Sequence, residues 1–141
     1  FDAFYAGRKL ISENPVLSPA QKTELEGYAD TARLAWEKAI AATAIHYVND
    51  TIADHEAENY NFYDHAKHWS ELKGFVLSLQ FSPLGNISPE EFAELHGIIG
   101  TAPTLPGSEG YNLMGRKAAL QRAGVVLGEA YGFTPEAVAA W

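Results

Sequence analysis

A helical pattern that runs unbroken from about Pro19 to about Asp54 constrains the fold of this chain more than any other feature. Between residues 39 and 48 the pattern is apolar on almost every side, so this helix needs neighbours in several directions. We predict that it is the central helix. Its predicted inner face steps by three or four residues through Leu25, Tyr28, Ala32, Trp36, Ala39, Thr43, His46, Asp50 and Ala53.

Three predicted helix starts share one sequence pattern, a serine or threonine followed by proline: Ser18-Pro19, Ser88-Pro89 and Thr134-Pro135. The hydroxyl can cap free backbone N–H groups, and proline costs nothing at the first helical position, where its missing N–H is not needed. Gln21 and Glu91 follow three residues after the first two caps, the spacing of a capping box. These positions are therefore strong predicted helix starts.

The remaining segments are also helical, with residues 1–13, about 62–80, 89–99 and about 113–131 predicted as helices. Loops or turns are predicted at 55–63, 81–86 and 100–112, and Gly132 is the expected C-cap of the last long helix. Gly124 and Gly128 are spaced by four, which predicts close approach of the alanine-rich side of the long helix. No strand pattern is present. The predicted fold is all-α, a helical bundle of about four main helices plus short helices, in one domain spanning 1–141.

Composition excludes several classes of function. The formal net charge is −8, and the basic residues are scattered among acids, so no nucleic-acid partner is expected. There is no cysteine, which rules out thiolate metal sites and disulfides. No apolar run approaches the roughly 20 residues of a spanning helix. The tryptophans and tyrosines fit a core and its rim, and no organic cofactor is predicted.

Histidines are concentrated in the middle of the chain, four of the five lying between residues 46 and 68. His46 and Asp50 share one face of the long helix, and His65 and His68 share a face of the next helix, with Glu71 at its edge. In an antiparallel hairpin, His46 and His68 come level along the two helices, at 1.5 Å per residue. We therefore predict that these five residues meet at one end of the bundle.

Two interpretations of this constellation stay open on spacing alone. Imidazole and carboxylate groups suit a divalent metal such as iron or zinc, and bundles commonly build metal sites from inward side chains on facing helices. The candidate metal ligands are His68, Glu71, His46, Asp50 and His65. In the structural alternative, His46 with Asp50 and His68 with Glu71 are ordinary hydrogen-bonded pairs in the core wall. No HExxH motif and no pair of Glu-x-x-His motifs is present.

Three stretches carry a resemblance to a known family: "FDAFYAGRKLI", "WEKAIAATAIHYVNDTIAD" and "KHWSELKGFVLSLQFSP". They resemble the second half of an uncharacterised bacterial family related to the imelysins, through the closing "LGEAYGF". Imelysin-like proteins are all-α and carry a GxHxxE motif proposed to bind metal. The matching residues here are Ala66, His68 and Glu71, with alanine in place of the leading glycine.

The resemblance implies an exported bacterial protein, periplasmic or anchored in the outer membrane, and connected with iron uptake. It also implies that the chain is the C-terminal portion of a larger imelysin-like domain. The expected partners are then the missing N-terminal portion of the same protein and a metal ion. Membrane contact is expected only through a lipid anchor outside this chain.

Three functions follow as hypotheses. The first is an exported metal-binding domain in which His68 and Glu71 are direct ligands and His46, Asp50 or His65 completes the site. The second is a metallopeptidase of imelysin type. No dedicated general base is evident for it, which favours a role other than catalysis. The third is a non-catalytic interaction module at the cell surface, with "NYNFY" and residues 100–112 as its contact surface.

Overall fold

The computed structural model describes residues 1–82 and 85–141. Within these ranges the chain forms six α-helices and a short 3₁₀ turn at Leu79–Phe81, without a strand. The helices are α1 (Asp2–Glu13), α2 (Pro19–Glu56), α3 (Phe62–Ser78), α4 (Pro89–Ile99), α5 (Leu113–Tyr131) and α6 (Pro135–Ala140). The all-α prediction is confirmed. The turn predicted at 81–86 includes Pro83 and Leu84, which lie outside the described residues.

All three predicted hydroxyl-proline starts begin a helix. Ser88 Oγ accepts a hydrogen bond from the Glu91 backbone N–H (3.2 Å), and the Glu91 side chain accepts one from the Ser88 N–H (2.8 Å). The same reciprocal pair joins Ser18 and Gln21 at 3.3 and 2.9 Å. Thr134 accepts from the N–H three residues later. Each cap satisfies backbone donors that the first helical turn leaves free.

The chain divides into two compact units, residues 1–39 and residues 40–141. In the first unit α1 packs on the early part of α2, where Gly7 of α1 is buried close to Leu25 and Tyr28. Phe4, Tyr5 and other apolar side chains of α1 stay exposed. The second unit contains the rest of α2 and all later helices. That 1–141 form one domain stays a prediction.

The core of the second unit is built from one face of each of its four longer helices. Its fully buried members include Ile45 and Val48 of α2, Leu72 and Val76 of α3, Leu95 and Ile99 of α4, and Leu120, Leu127 and Tyr131 of α5. These positions recur every three or four residues, so each helix presents one apolar stripe to the others. Among the described helices, none is both long and apolar enough to cross a membrane.

The predicted inner face of α2 is wrong in the second unit. The buried positions are Ala41, Ala44, Ile45, Val48, Thr51, Ile52 and His55. His46 lies next to this stripe and its side chain is 52% exposed. In the first unit Trp36 is 74% exposed. Because the helix is apolar almost all round in this region, the sequence pattern did not distinguish two neighbouring faces.

Gly124 and Gly128 do allow a close approach, as predicted, but the nearest partner is α6 rather than α2. A Cβ added at Gly128 would lie 2.8 Å from Cγ2 of Val138, and one at Gly124 would lie 3.4 Å from Cγ1 of the same residue. Val48 of α2 is 3.9 Å from the Gly124 position. The two glycines therefore seat α6 against α5.

Candidate functional site

Four side chains on α2 and α3 form a continuous line that alternates acid and imidazole, here termed the histidine–carboxylate chain: Asp54, His68, Asp50 and His46. Oδ2 of Asp54 lies 2.8 Å from Nδ1 of His68. Oδ2 of Asp50 lies 3.9 Å from Nε2 of His68 and 3.2 Å from Nε2 of His46. One carboxylate oxygen thus has an imidazole nitrogen on either side.

Helical spacing produces this line. His46, Asp50 and Asp54 follow one another at steps of four, so they lie along one side of α2. His68, in the middle of α3, faces the gap between the two aspartates. The link between the two helices is short, and Asn61 caps α3 by accepting a hydrogen bond from the Tyr63 N–H at 2.9 Å.

The second ring nitrogen of His46 also has a polar neighbour. Nδ1 lies 3.4 Å from the backbone carbonyl oxygen of Trp141. The side-chain amide of Asn49 donates to the same carbonyl (3.2 Å) and to that of Val138 (2.9 Å). These contacts tie the end of α6 to α2 and leave Nε2 of His46 on the Asp50 side.

Glu71 lies beside the histidine–carboxylate chain but is engaged differently. The Tyr47 hydroxyl lies close to Glu71, and Oε2 of Glu71 is buried without a hydrogen-bond partner among the described residues. Burial raises the pKa of the Tyr47 hydroxyl, and its contact with Glu71 adds to the shift. The Tyr47 ring stacks on Phe75, with centroids 5.7 Å apart, so it is fixed next to His68.

A second group of polar side chains is enclosed between α2, α3 and α5, here termed the buried histidine cluster: His55, Tyr60, His65, Tyr111 and Arg116. The His55 and His65 rings meet edge to face with centroids 4.5 Å apart. Tyr60 lies against His65 (5.6 Å between centroids), and the Tyr111 hydroxyl lies 3.0 Å from Nδ1 of His55. His65 is completely buried and His55 is 7% exposed.

Burial decides the electrostatics of this cluster. Desolvation lowers the pKa of His55 to about 4, with His65 and Arg116 adding to the shift. Desolvation also lowers the pKa of His65, against the opposing pull of Asp54. Both imidazoles are therefore neutral near pH 7. Arg116 keeps its charge, although burial lowers its pKa as well.

The five predicted site residues are not all brought together. His46, Asp50 and His68 meet, as predicted, but His65 belongs to the buried histidine cluster. The reason is that residues three apart on a helix point about 60° apart at 3.6 residues per turn, enough to separate two environments. Glu71 adjoins the chain through Tyr47.

Sequence reasoning missed Asp54 and His55. It ended α2 near Asp54 and placed His55 in a loop, whereas α2 continues to Glu56. Two features of the sequence indicate that these residues belong to the helix. Asp54 lies four residues after Asp50, and His55 lies three after Ile52 in the series of buried apolar positions.

A metal ion needs several ligand atoms arranged around one point. Over residues 1–82 and 85–141, no three His, Cys, Asp or Glu side chains are placed so as to hold a metal as they stand. The nearest approach to a ligand set is His46, Asp50 and His68. The pair His68 and Glu71 fits less well, since the nitrogens of His68 face the two aspartates.

A groove of about 520 Å³ lies between α2, α5 and α6. Its walls are mainly apolar, with Val48, Ile52 and Val138 among them, and the ion pair of Lys117 with Glu56 stands at its edge. It shares no residue with the histidine–carboxylate chain or the buried histidine cluster. The cavity and the titratable groups therefore do not form one site.

Comparisons with known protein families, with curated proteins and with solved structures gave no match. The imelysin-like resemblance therefore stays a prediction, and the geometry of the two groups is the basis for a functional assignment.

Proposed function

We propose that this chain is a metal-binding helical-bundle domain of an exported, imelysin-like protein connected with iron uptake. The histidine–carboxylate chain is its metal site. In this proposal Nε2 of His46, Nε2 of His68 and the carboxylate of Asp50 take up a divalent cation such as iron or zinc. The link to export and to iron rests on the resemblance alone.

The position of Asp50 between two imidazoles is the observation that carries the proposal. Two Nε2 atoms on different helices lie beside one carboxylate oxygen, at 3.2 and 3.9 Å. Imidazole and carboxylate are the ligand types expected for iron and zinc. The His46 side chain is half exposed, so it can turn toward an incoming ion without disturbing the core.

Asp54 gives the proposal a second support. Histidines that bind metals usually donate their other ring N–H to a carboxylate, which fixes the ring and makes the metal-binding nitrogen more basic. Asp54 holds His68 in this way, through Nδ1 at 2.8 Å. Glu71 is assigned no direct contact with the metal here, because it is engaged by Tyr47.

Titration of the purified, metal-free protein with Zn²⁺ and Fe²⁺ under anaerobic conditions tests the proposal. His68→Ala is expected to lower the affinity at least about tenfold, since it removes one of three proposed ligands. His96→Ala is the matched control. It removes a partly buried histidine on α4 that contacts Lys73, away from the proposed site.

Equal binding by the His68→Ala variant and the parent would contradict the proposal. A peptide-library assay on the zinc-loaded protein separates binding from hydrolysis. Cleavage that is lost with chelator and lost in His68→Ala would instead favour the metallopeptidase alternative.

A further inference from the structure

The buried histidine cluster contains more hydrogen-bonding capacity than the surrounding protein uses. Six of its polar atoms are shielded from solvent and have no partner in the described parts of the chain: Nε2 of His55, Oη of Tyr60, Nδ1 and Nε2 of His65, and Nε and Nη2 of Arg116. Leaving such groups unpaired costs about 1–3 kcal/mol each. A concentration of this kind at one place indicates a site that is completed by a ligand.

We infer that the buried histidine cluster is a binding site for a small oxyanion, a phosphate or a carboxylate, held by Arg116 with His65 and Tyr60. Its residues are distinct from the proposed metal ligands, and the inference does not rest on the proposed metal binding.

Arg116 is the group that selects an anion. It lies in the first turn of α5, and Nη1 donates to the carbonyl of Ile98 at 2.5 Å. Nε and Nη2 stay available side by side, and no carboxylate in the described residues lies within ion-pair distance of the guanidinium. The fork of an arginine matches two oxygens of a carboxylate or phosphate.

The neighbours of Arg116 are donors or can be donors. A neutral imidazole has one N–H, and neither ring nitrogen of His65 has a hydrogen-bond partner among the residues that the structure describes. The Tyr60 hydroxyl is unpaired as well. If Tyr111 donates its hydroxyl hydrogen to Nδ1 of His55, Nε2 of His55 carries the hydrogen and faces the same group. A cation would be repelled by Arg116, although imidazoles are common metal ligands.

Two further features agree with a negative ligand. Arg116 and Tyr111 lie at the N-terminal end of the 19-residue helix α5, where free backbone N–H groups favour negative charge. Asp54, the carboxylate that acts on His65, is itself paired with His68 on its other side. The irregular segment before α5 contributes Tyr111 as one wall of the site.

The test uses the whole metal-free chain in a buffer without phosphate or carboxylate. Inorganic phosphate and acetate are titrated separately, against sodium chloride at matched ionic strength, while thermal unfolding and the side-chain NMR signals of His65 are followed. A ligand that binds only the folded state raises the unfolding temperature, and the rise grows with the logarithm of the ligand concentration once that concentration exceeds the dissociation constant. With phosphate, acetate or both we expect a rise in the unfolding temperature beyond that with sodium chloride, and a shift of the His65 signals that saturates as the site fills. A response to phosphate alone would identify the ligand as a phosphate, and a response to acetate alone would identify it as a carboxylate.

Arg116→Met is expected to weaken the anion's affinity at least about tenfold, because it removes the charge-assisted hydrogen bonds. Arg122→Met is the matched control: it removes the same charge from α5 at an exposed position paired with Glu94, and its response should equal that of the parent. Tyr60→Phe, which removes only an unpaired hydroxyl, decides the matter if Arg116→Met does not fold. It should weaken the affinity by a smaller factor. The inference would be overturned if neither anion gave a saturable shift of the His65 signals, or if the response were unchanged in Tyr60→Phe and Arg116→Met.

Discussion

His65 and His68 illustrate how sharply the surroundings of a side chain can change within three residues. His68 is 21% exposed and lies between Asp54 and Asp50, so both of its nitrogens have carboxylate neighbours. His65 is completely buried and has no hydrogen-bond partner in the described residues. The same residue type thus belongs to two different kinds of candidate site, one suited to a cation and one to an anion.

Asp54 offers a test of the metal site at the scale of one residue. Asp54→Asn keeps the size of the side chain but removes the charge that holds His68, so we expect metal affinity to fall about 10- to 100-fold. Isothermal titration with Zn²⁺ measures the change. Asp30→Asn, which removes an exposed carboxylate near Arg33 in the first unit, should bind as the parent does. Undiminished affinity in Asp54→Asn would show that Asp54 has no part in metal binding.

The candidate site could be predicted from sequence only in part, and the reason lies in helical geometry. Steps of four along α2 and the level of His68 in a hairpin are enough to bring His46, Asp50 and His68 together. The separation of His65 from His68 depends on the rotation of α3 about its own axis. Whether a carboxylate pairs with Arg116 depends on which side chains are near it in space. Neither the rotation of α3 nor the surroundings of Arg116 can be derived from the spacing of residues in the sequence.

At the scale of the elements, helix ends were more predictable than helix faces. The capping side chains bind backbone groups three residues away. The helix starts at Ser18, Ser88 and Thr134 can therefore be predicted from the local sequence. The inner face of α2 depends on tertiary neighbours. Ala41, Ile45, Val48 and Ile52 form the buried stripe, while the equally plausible positions Ala39 and Ala53 are exposed.

The contact of α5 with α6 yields a prediction for a single methyl group. Gly128→Ala places a Cβ 2.8 Å from Cγ2 of Val138, a β-branched side chain with few alternative rotamers. We expect a loss of about 1–3 kcal/mol in the free energy of unfolding, the usual cost of overpacking. Urea denaturation followed by circular dichroism measures it.

Gly74→Ala is the matched control for this substitution. Gly74 is exposed within α3, and a Cβ there has no heavy atom of another part of the protein within 4 Å. Alanine at this position should stabilise the helix by about 0.5–1 kcal/mol. Equal effects of the two substitutions would mean that α6 does not rest on Gly128.

For the molecule as a whole, neutral histidines in the interior set a limit on stability in acid. The pKa of His55 is about 4 in the folded state, against 6.5 for an ordinary histidine, and that of His65 is also lowered. Between these values the unfolded chain binds protons that the folded chain does not. The resulting stability is present above pH 6.5 and is lost as the pH falls toward 4.

The free energy of unfolding is therefore expected to fall by up to about 3 kcal/mol between pH 6.5 and pH 4 through His55 alone. Urea denaturation at several pH values, in buffers free of metal and phosphate, gives the slope. His55→Gln should flatten the slope by as much as one proton, whereas Gln80→Ala, at an exposed position without a titratable group, should leave it unchanged. A slope that is the same in all three proteins would contradict the assignment of a neutral, buried His55.

The overall architecture could be predicted because the same two sequence features, an apolar stripe and a helix break, recur along the chain. Four helices in the second unit present apolar stripes, and the breaks between them carry proline, glycine or asparagine, as at Asn61, Gly100 and Gly132. The division into two compact units was not predicted. Since α2 continues through residues 39 and 40, no break in the sequence pattern marks this boundary.

Asp54 accepts a hydrogen bond from His68 and also acts electrostatically on His65, so one negative charge is shared between the two candidate sites. A cation bound by His68 would partly neutralise the negative charge of Asp54. That charge would then repel an anion beside His65 less strongly. Thermodynamic linkage then requires each ion to increase the affinity of the other by the same factor. Loss of either ion would therefore weaken the binding of the other.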